Sequence, residues 1–256
     1  MIIASIVLAI FLIAKKSSFN VNRATRIKWL LTGVVVGVHW FFFFESIKVS
    51  TVSVGLVSLS STTLFTAFLE PFFHKKKIKL YEILFSLLIV AGMVIVLRFE
   101  FRYWLGILYG IISAFLASLF TVLNSKYVSE GKPSMISFYE LIGGTIFIAV
   151  LILLFEFPKT GLAIPSLSDV FYLLLLGIVA TAVAFVVSVQ VMKKLSAFTV
   201  SLSINLEPLY GIILAVLIFG QEELMSTGFY VGFAIILSTI LMNAYLKRKN
   251  SGSAST

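Results

Sequence analysis

The sequence predicts an all-α protein, a polytopic membrane helix bundle built from two inverted five-helix repeats. Three observations lead to this prediction. The chain is 60% hydrophobic and has a mean hydropathy of +1.09, which is more apolar surface than a soluble domain of 256 residues can cover. Its apolar residues form nine segments joined by short polar connections. A shift of 146 positions aligns residues 48–98 with residues 194–244 without a gap, which indicates an internal repeat.

Each of the nine segments is expected to form a helix. The first has only 14 residues and is too short to cross a membrane by itself, whereas the other eight are long enough. Pro133 suits the first turn of the sixth segment, and Ser168 or Asp169 would cap the start of the seventh. In chain order the segments are residues 1–14, 27–46, 50–73, 80–97, 103–123, 134–155, 170–192, 197–219 and 227–246.

The basic residues predict the orientation of these helices. When the loop after the first segment is placed inside and the sides alternate, sixteen of the 20 Lys and Arg residues lie inside. This asymmetry follows the positive-inside rule. It predicts a multi-pass protein of the cytoplasmic (cell) membrane of a bacterium, with the C-terminus in the cytoplasm. The four basic residues left outside are Lys48, Arg98, Arg102 and Lys159.

An odd number of helices per repeat requires the two repeats to insert with opposite orientations. The charges agree, because the basic stretch 74–77 aligns with 220–223, which carries two glutamates. The predicted domains are a first repeat over 1–98, a second repeat over 102–249 and a disordered tail over 250–256. The first repeat then lacks its first helix and half of its second, so we expect about 45 further residues upstream of the chain. Inverted repeats are a common transporter architecture.

Composition excludes several kinds of site. The chain has no cysteine and only two histidines, His39 and His74, so we expect no thiolate or histidine metal site. It has no glycine-rich phosphate loop and no nucleophile beside a base, so we expect neither an enzyme nor a cofactor. The basic residues lie in short runs between apolar segments. The net charge of +9 therefore indicates membrane topology and not nucleic-acid binding.

The strongest candidate for a functional group is Glu207, in the middle of the eighth segment. A charged side chain at the bilayer centre costs about 2.5–3.5 kcal/mol, so it is rarely left facing lipid. Pro208 removes a backbone donor and crowds the carbonyl of Ile204, which loosens the helix beside the carboxylate. Asn205 lies two residues before Glu207, and Tyr210 shares its helix face. The alternative is a packing kink in which Glu207 is hydrogen-bonded inside the bundle and has no role in transport.

These residues resemble the EamA-like branch of the drug/metabolite transporter superfamily, over essentially the whole chain. The most specific matches are Asn-Leu-Glu-Pro at 205–208, followed by Gly-Gln-Glu at 220–222, and Gly-Ile-Val-Ala-Thr-Ala at 177–182. In the first half, residues 40–48 followed by 50–66 match the third and fourth helices of the family. The resemblance implies ten helices, two cytoplasmic termini and a central cavity between the halves.

The fourth helix departs from the family pattern. The family often has a proline at mid-depth there, where this chain has Thr62, with a proline only later, at Pro71. The expectation of two symmetric kinked helices is weakened accordingly. Ser61 and Thr62 are nevertheless the repeat equivalents of Glu207 and Pro208, which makes them candidates for the site. Alternatively, the hydroxyl-rich run around them simply lets helices approach one another.

His39 and Trp40 are candidates in the second segment. A buried neutral imidazole can donate to a substrate or exchange a proton. The alternative is a structural histidine that is bonded to a backbone carbonyl and has no role in transport. Trp40 is expected either to form a wall of the cavity or to belong to an interfacial aromatic belt.

The second half contributes further candidates. Tyr139 and Glu140 lie about a turn and a half into the sixth segment, where Glu140 is expected either to gate the inner entrance or to sit at headgroup level. Thr181 and Ser188 are seven residues apart, so on an α-helix they would form one polar stripe facing the bundle. Small-residue ridges at 106–114 and 228–232 are expected to be helix contacts.

Together these residues predict a secondary transporter that moves a small organic metabolite through the central cavity. The resemblance implies an amino-acid-like or related substrate. The expected partners are this substrate, membrane lipid and a second copy of the chain in a homodimer. Proton coupling is expected too, because Glu207 would lose its proton when wetted and regain it when the site dries. The alternative is a non-transporting membrane subunit or a lipid-interacting scaffold, neither of which needs a carboxylate at mid-depth.

Overall fold

The computed structural model describes residues 1–78, 80–156, 165–204 and 206–253, which form helices joined by turns and include no strand. Twelve α-helices follow one another in this part of the chain. They are α1 (Ile2–Ala14), α2 (Arg23–Lys48), α3 (Val52–Leu59), α4 (Thr62–His74), α5 (Leu80–Phe99), α6 (Trp104–Tyr127), α7 (Pro133–Leu151), α8 (Leu167–Leu175), α9 (Ala184–Val191), α10 (Ala197–Ile204), α11 (Glu207–Phe219) and α12 (Thr227–Ser253).

Each of the nine predicted segments contains helix, and the predicted all-α membrane helix bundle is confirmed, while its inverted repeats stay a prediction. Five stretches of described helix are long and apolar enough to cross a membrane, and several shorter apolar helices accompany them. The chain is therefore a multi-pass membrane helix bundle. The five stretches are Arg23–Lys48, Val52–His74, Phe101–Tyr127, Pro133–Phe155 and Leu167–Val191.

Two helix starts test the predicted caps. Pro133 is the first residue of α7, as predicted. The cap of α8 is Ser166, so the prediction of Ser168 or Asp169 was wrong. The Ser166 hydroxyl accepts from the Asp169 amide at 3.2 Å, and the Asp169 carboxylate accepts from the Ser166 amide at 2.9 Å. This reciprocal capping box places the acid three residues after the cap, so the helix begins one residue before Ser168.

The third segment, which corresponds to the fourth helix of the family, is interrupted although it lacks the family proline, so the doubt about a second break was wrong. Helix α3 ends at Leu59 and α4 begins at Thr62. Between them the amides of Ser60 and Ser61 donate to carbonyls three residues back, at 3.0 and 3.2 Å, which is 3₁₀ spacing. The Ser61 and Thr62 hydroxyls donate to the carbonyls of Ser58 and Leu59 at 2.7 and 2.6 Å. Hydroxyls that bind the backbone in this way compete with the α-helical pattern.

The seventh segment is not a continuous α-helix, because residues Leu176–Val183 between α8 and α9 are π-helical. The Thr181 hydroxyl donates to the carbonyl of Leu176, five residues back, at 2.8 Å. The stripe predicted for Thr181 and Ser188 assumed α-helical spacing, which does not hold here. Thr181 is buried, whereas Ser188 is only half-buried.

The chain divides into two compact units. Unit 1 comprises Met1–Val38 and Leu123–Ser196. Within it α1 packs against α7 and against the π-helical segment. Helices α2 and α7 approach so closely that a Cβ on Gly33 or Gly143 would overlap the backbone of the opposite helix. The apolar core under α1 contains Ala4, Leu8, Leu141 and Ala182.

Unit 2 comprises His39–Val122 and Ala197–Thr256. Helix α5 packs along α12, where Gly92 and Gly232 lie against each other. This contact confirms the ridge around Gly232 as a packing surface. The ridge on α6 is a packing surface too, since Gly106 and Gly110 contact the side chains of Ser50 and Ser58.

Candidate functional site

The candidate site lies in unit 2, where the two broken spans pack side by side. Helix α3 packs against α11, and α4 packs against α10. A Cβ on Gly211 of α11 would lie only 2.5 Å from Leu56 of α3, so these two helices are in close contact. The first half of each span thus packs on the second half of the other. The spans are therefore antiparallel, and their breaks lie at a similar level.

The second break has the composition that the sequence predicted. Helix α10 ends at Ile204, and α11 begins at Glu207 with the buried Pro208 in its first turn. Glu207 is partly buried, and no hydrogen bond or ion pair joins it to another of the residues that the structure describes. Tyr210 is 57% exposed. Asn205 lies outside the described residues.

The antiparallel packing brings four predicted residues to one region: Ser61 and Thr62 of the first break, and Glu207 and Pro208 of the second. Here the carbonyl end of α3, which carries a partial negative charge, adjoins the start of α11. Helices α4 and α11 both begin in this region, and the start of each carries a partial positive charge. The region can therefore hold a cationic group beside Glu207 and an anionic group at a helix start.

Buried carboxylates cap the outer ends of the same helices. The two Glu223 carboxylate oxygens accept from the amides of Val52 and Ser53, at 2.8 and 2.9 Å, at the start of α3. A Glu70 oxygen accepts from the Phe198 amide at 2.7 Å, at the start of α10. In each antiparallel pair, the acid near the end of one half-helix thus satisfies free amides of its neighbour.

A hydroxyl cluster links the broken spans to α6. Thr66 of α4 lies 2.8 Å from Ser118 of α6 and 3.0 Å from Ser201 of α10, measured between the hydroxyl oxygens. All three side chains are buried. They hold α4, α6 and α10 together one turn from the first break.

His39 makes the contact that its structural alternative requires. Its Nδ1 lies 2.9 Å from the Ser113 carbonyl oxygen and 2.8 Å from the Ser113 hydroxyl. The ring packs between Phe43 and Phe120. Trp40 is half-buried and contacts Phe44 edge to face. These contacts place His39 at the junction of α2 and α6, and the described contacts do not connect it to the breaks.

The remaining predicted residues belong to unit 1. The Tyr139 hydroxyl lies 3.4 Å from the Phe19 carbonyl oxygen, and its ring contacts Trp29. Thr181 and Ser188 are also in unit 1, on the π-helical segment and on α9. Glu140 is fully buried, so its side chain does not face an open entrance.

Sequence reasoning missed the capping carboxylates and the hydroxyl cluster. Glu70 and Glu223 follow apolar runs near the ends of spans, where an acid also fits a solvated loop. Their partners are 128 and 170 residues away in the chain, beyond the reach of any local pattern. Among the described residues, no three His, Asp or Glu side chains come together in a way that could hold a metal ion.

Comparison with known proteins agrees with this architecture. The model of the EamA-like transporter family matches residues 1–98 and 104–245. An uncharacterized transporter of Clostridium kluyveri is 27% identical over 205 residues, which make up 73% of this chain and 62% of that relative. The chain thus matches less than two thirds of the relative's length. A solved crystal structure that is 20% identical covers 96% of this chain and 85% of its own, with a TM-score of 0.71, so the two share a fold.

Proposed function

This chain belongs to the EamA-like transporter family, and we propose that it is a secondary transporter of a small organic metabolite. One observation carries the proposal. The two broken spans pack antiparallel, their breaks lie at a similar level, and the partly buried Glu207 lies at the second break. Discontinuous helices whose ends meet near the midplane are the binding elements of many secondary transporters. A central cavity between two inverted repeats, as the family resemblance implies, is part of the proposal.

The charges at the breaks favour an amino-acid-like substrate. The Glu207 carboxylate and the carbonyl end of α3 suit an ammonium group. The partial positive charge at the start of α4 suits a carboxylate group. A zwitterion would satisfy both ends at once. A lipid-interacting scaffold would have no use for a carboxylate left without a described partner inside a broken helix.

Counterflow into proteoliposomes tests this function. Vesicles that contain the purified protein are loaded with one unlabelled amino acid at a time and exposed to a labelled pool of polar metabolites. We expect labelled zwitterionic compounds to accumulate above the level in protein-free vesicles. Equal levels in both kinds of vesicle, for every class of metabolite in the pool, would contradict the transport function.

The orientation can be tested at two equivalent positions of the proposed repeats. Lys48 and Lys194 are exposed, and they are separated by the 146-residue shift. The chain has no native cysteine, so Lys48→Cys and Lys194→Cys each provide a single thiol. An impermeant maleimide added to intact cells should label the cysteine at position 48 and spare the one at 194 until the cells are opened. Labelling of both or neither in intact cells argues against inverted repeats, and the reverse pattern overturns the orientation.

A further inference from the structure

Glu140 lies inside unit 1 with little to balance a charge. Its side chain on α7 is 0% exposed, and that of Asn124 on α6 is 1% exposed. The Asn124 Nδ2 donates to Glu140 Oε2 at 3.0 Å. This neutral amide is the hydrogen-bond partner that the structure shows for the carboxyl group.

Glu140 and Asn124 each have one further side-chain oxygen that takes no part in this hydrogen bond. Neither Glu140 Oε1 nor Asn124 Oδ1 has a hydrogen-bond partner among the described residues. A buried carboxylate without a compensating cation is costly, and a buried acceptor without a donor is also unfavourable. A single proton on Oε1 removes both costs, because it neutralises the acid and supplies a donor for the Asn124 oxygen.

The ionisable neighbours of Glu140 do not supply a cation. Tyr127 of α6 is the titratable group within electrostatic range of both Glu130 and Glu140. Lys28 of α2 lies over the Tyr127 ring and is paired with Glu130 at 3.6 Å. The other ionisable groups of α2, α6 and α7 are Arg23, Arg26, His39, Glu45 and Lys48 on α2, Tyr109 and Lys126 on α6, and Tyr139 on α7, and no described ion pair joins any of them to Glu140. Helices α1 and α9 and the π-helical segment, which all belong to unit 1, contain no ionisable side chain.

We propose that Glu140 and Asn124 form a proton-binding site inside unit 1. In this site Glu140 is a neutral carboxylic acid whose Oε1 hydroxyl donates to Asn124 Oδ1, while Asn124 Nδ2 donates to Oε2. The two groups then form a closed acid–amide pair in which the acid proton and each of the oxygens Oε2 and Oδ1 take part in a hydrogen bond. Release of the proton breaks the Oε1–H bond, leaves its electron pair on the carboxylate and transfers the proton to water.

A bound metal cation is the competing occupant. Hard cations in proteins take roughly six oxygen ligands or more. Glu140 Oε1 and Asn124 Oδ1 provide two, and the buried Ser137 hydroxyl, one turn earlier on α7, provides at most a third. The described residues therefore match a proton better than a sodium ion.

The site links proton binding to the hydration of unit 1, because water must reach Oε1 before the proton can leave. In a transporter that opens alternately to each side, this linkage would tie the proton to one access state. That consequence rests on the proposed function. Proton binding itself does not, and it can be measured without transport.

Infrared difference spectroscopy of the purified protein tests the proposal. At neutral pH we expect a band from the C=O stretch of a protonated carboxyl group that shifts in D₂O. Glu140→Gln should remove this band, since glutamine keeps the shape and both hydrogen bonds of the neutral acid but carries no acid proton. Both proteins are measured in a Glu207→Gln background, because Glu207 also takes up a proton in our proposal, and Glu45→Gln, at an acid paired with Lys48 at 3.2 Å, is the matched control that should keep the band. Absence of the band, or its survival in Glu140→Gln, overturns the site.

Two further measurements keep the proposal testable if Glu140→Gln misfolds and test whether a metal cation occupies the site. If Glu140→Gln does not fold, Asn124→Leu in its place should move the band of Glu140 to higher frequency, because the acid loses its acceptor. A band that does not move overturns the acid–amide pair. Addition of sodium chloride at constant pH should leave the band unchanged. Its loss with sodium, reversed by potassium, would assign the site to a metal cation and overturn the proposal.

Discussion

Replacing Glu223 by alanine is expected to destabilise unit 2 strongly, because two amides at the start of α3 lose their acceptor. The Glu223 side chain is 5% exposed, and Ser53, which carries one of these amides, is fully buried. A buried donor left without a partner costs about 1–3 kcal/mol. The third amide is held independently, since the Thr51 hydroxyl accepts from Val54 at 3.2 Å. The thermal midpoint of unfolding in detergent should therefore fall well below that of the parent.

Graded substitutions separate this capping role from a general effect of losing an acid. Glu223→Gln keeps one acceptor oxygen and loses the charge, so its midpoint should lie between those of the parent and Glu223→Ala. Glu45→Ala is the matched control, because Glu45 forms an exposed ion pair with Lys48 on the same helix, at 3.2 Å. Such pairs contribute about 0–1 kcal/mol. Equal midpoints for Glu223→Ala and Glu45→Ala would mean that water replaces the carboxylate at α3.

The two breaks show why only part of the site follows from the sequence. At Pro208 the cause is local, because a proline in the middle of a span has no amide hydrogen to donate and crowds the carbonyl four residues before it. At Ser61 the cause is a side-chain hydrogen bond to the backbone, and serine or threonine in other helices makes the same bond with no break. The break beside Glu207 was therefore predicted, while its equivalent required the structure.

The buried carboxylates illustrate a second limit. Apolar periodicity located all nine segments, because the length of a span is a local property. The partners of Glu70, Glu140 and Glu223 depend on which helices pack together, and periodicity contains no information about that. The two roles expected for Glu140, at an entrance or at headgroup level, accordingly did not include its buried contact with Asn124. The two inverted repeats and the homodimer stay predictions.

The chemistry at the breaks makes Glu207→Gln the most informative substitution for transport. Glutamine keeps the size of the side chain and can still accept a hydrogen bond, but it can neither ionise nor attract an ammonium group as strongly. We extend the proposed function with the expectation of proton coupling, in which a proton and the substrate alternate on Glu207. For the parent protein, one proton exchanged per substrate would support about a tenfold substrate gradient per unit of pH difference, because one pH unit corresponds to about 1.4 kcal/mol. We expect the Gln variant to insert and fold normally and to lose this pH-driven accumulation.

Two assays in the same proteoliposomes distinguish a loss of proton coupling from a loss of folded, active protein. Exchange of labelled for unlabelled substrate at equal pH on both sides requires only binding and alternating access, and it should persist in Glu207→Gln at reduced affinity. Net accumulation against a gradient requires a group that changes protonation with the access state, and it should fall to the level of protein-free vesicles. Glu45→Gln, which alters an exposed acid on α2, should retain both activities. If Glu207→Gln accumulates substrate in proportion to the pH difference as the parent does, Glu207 is a packing residue and the proton is carried elsewhere in the chain.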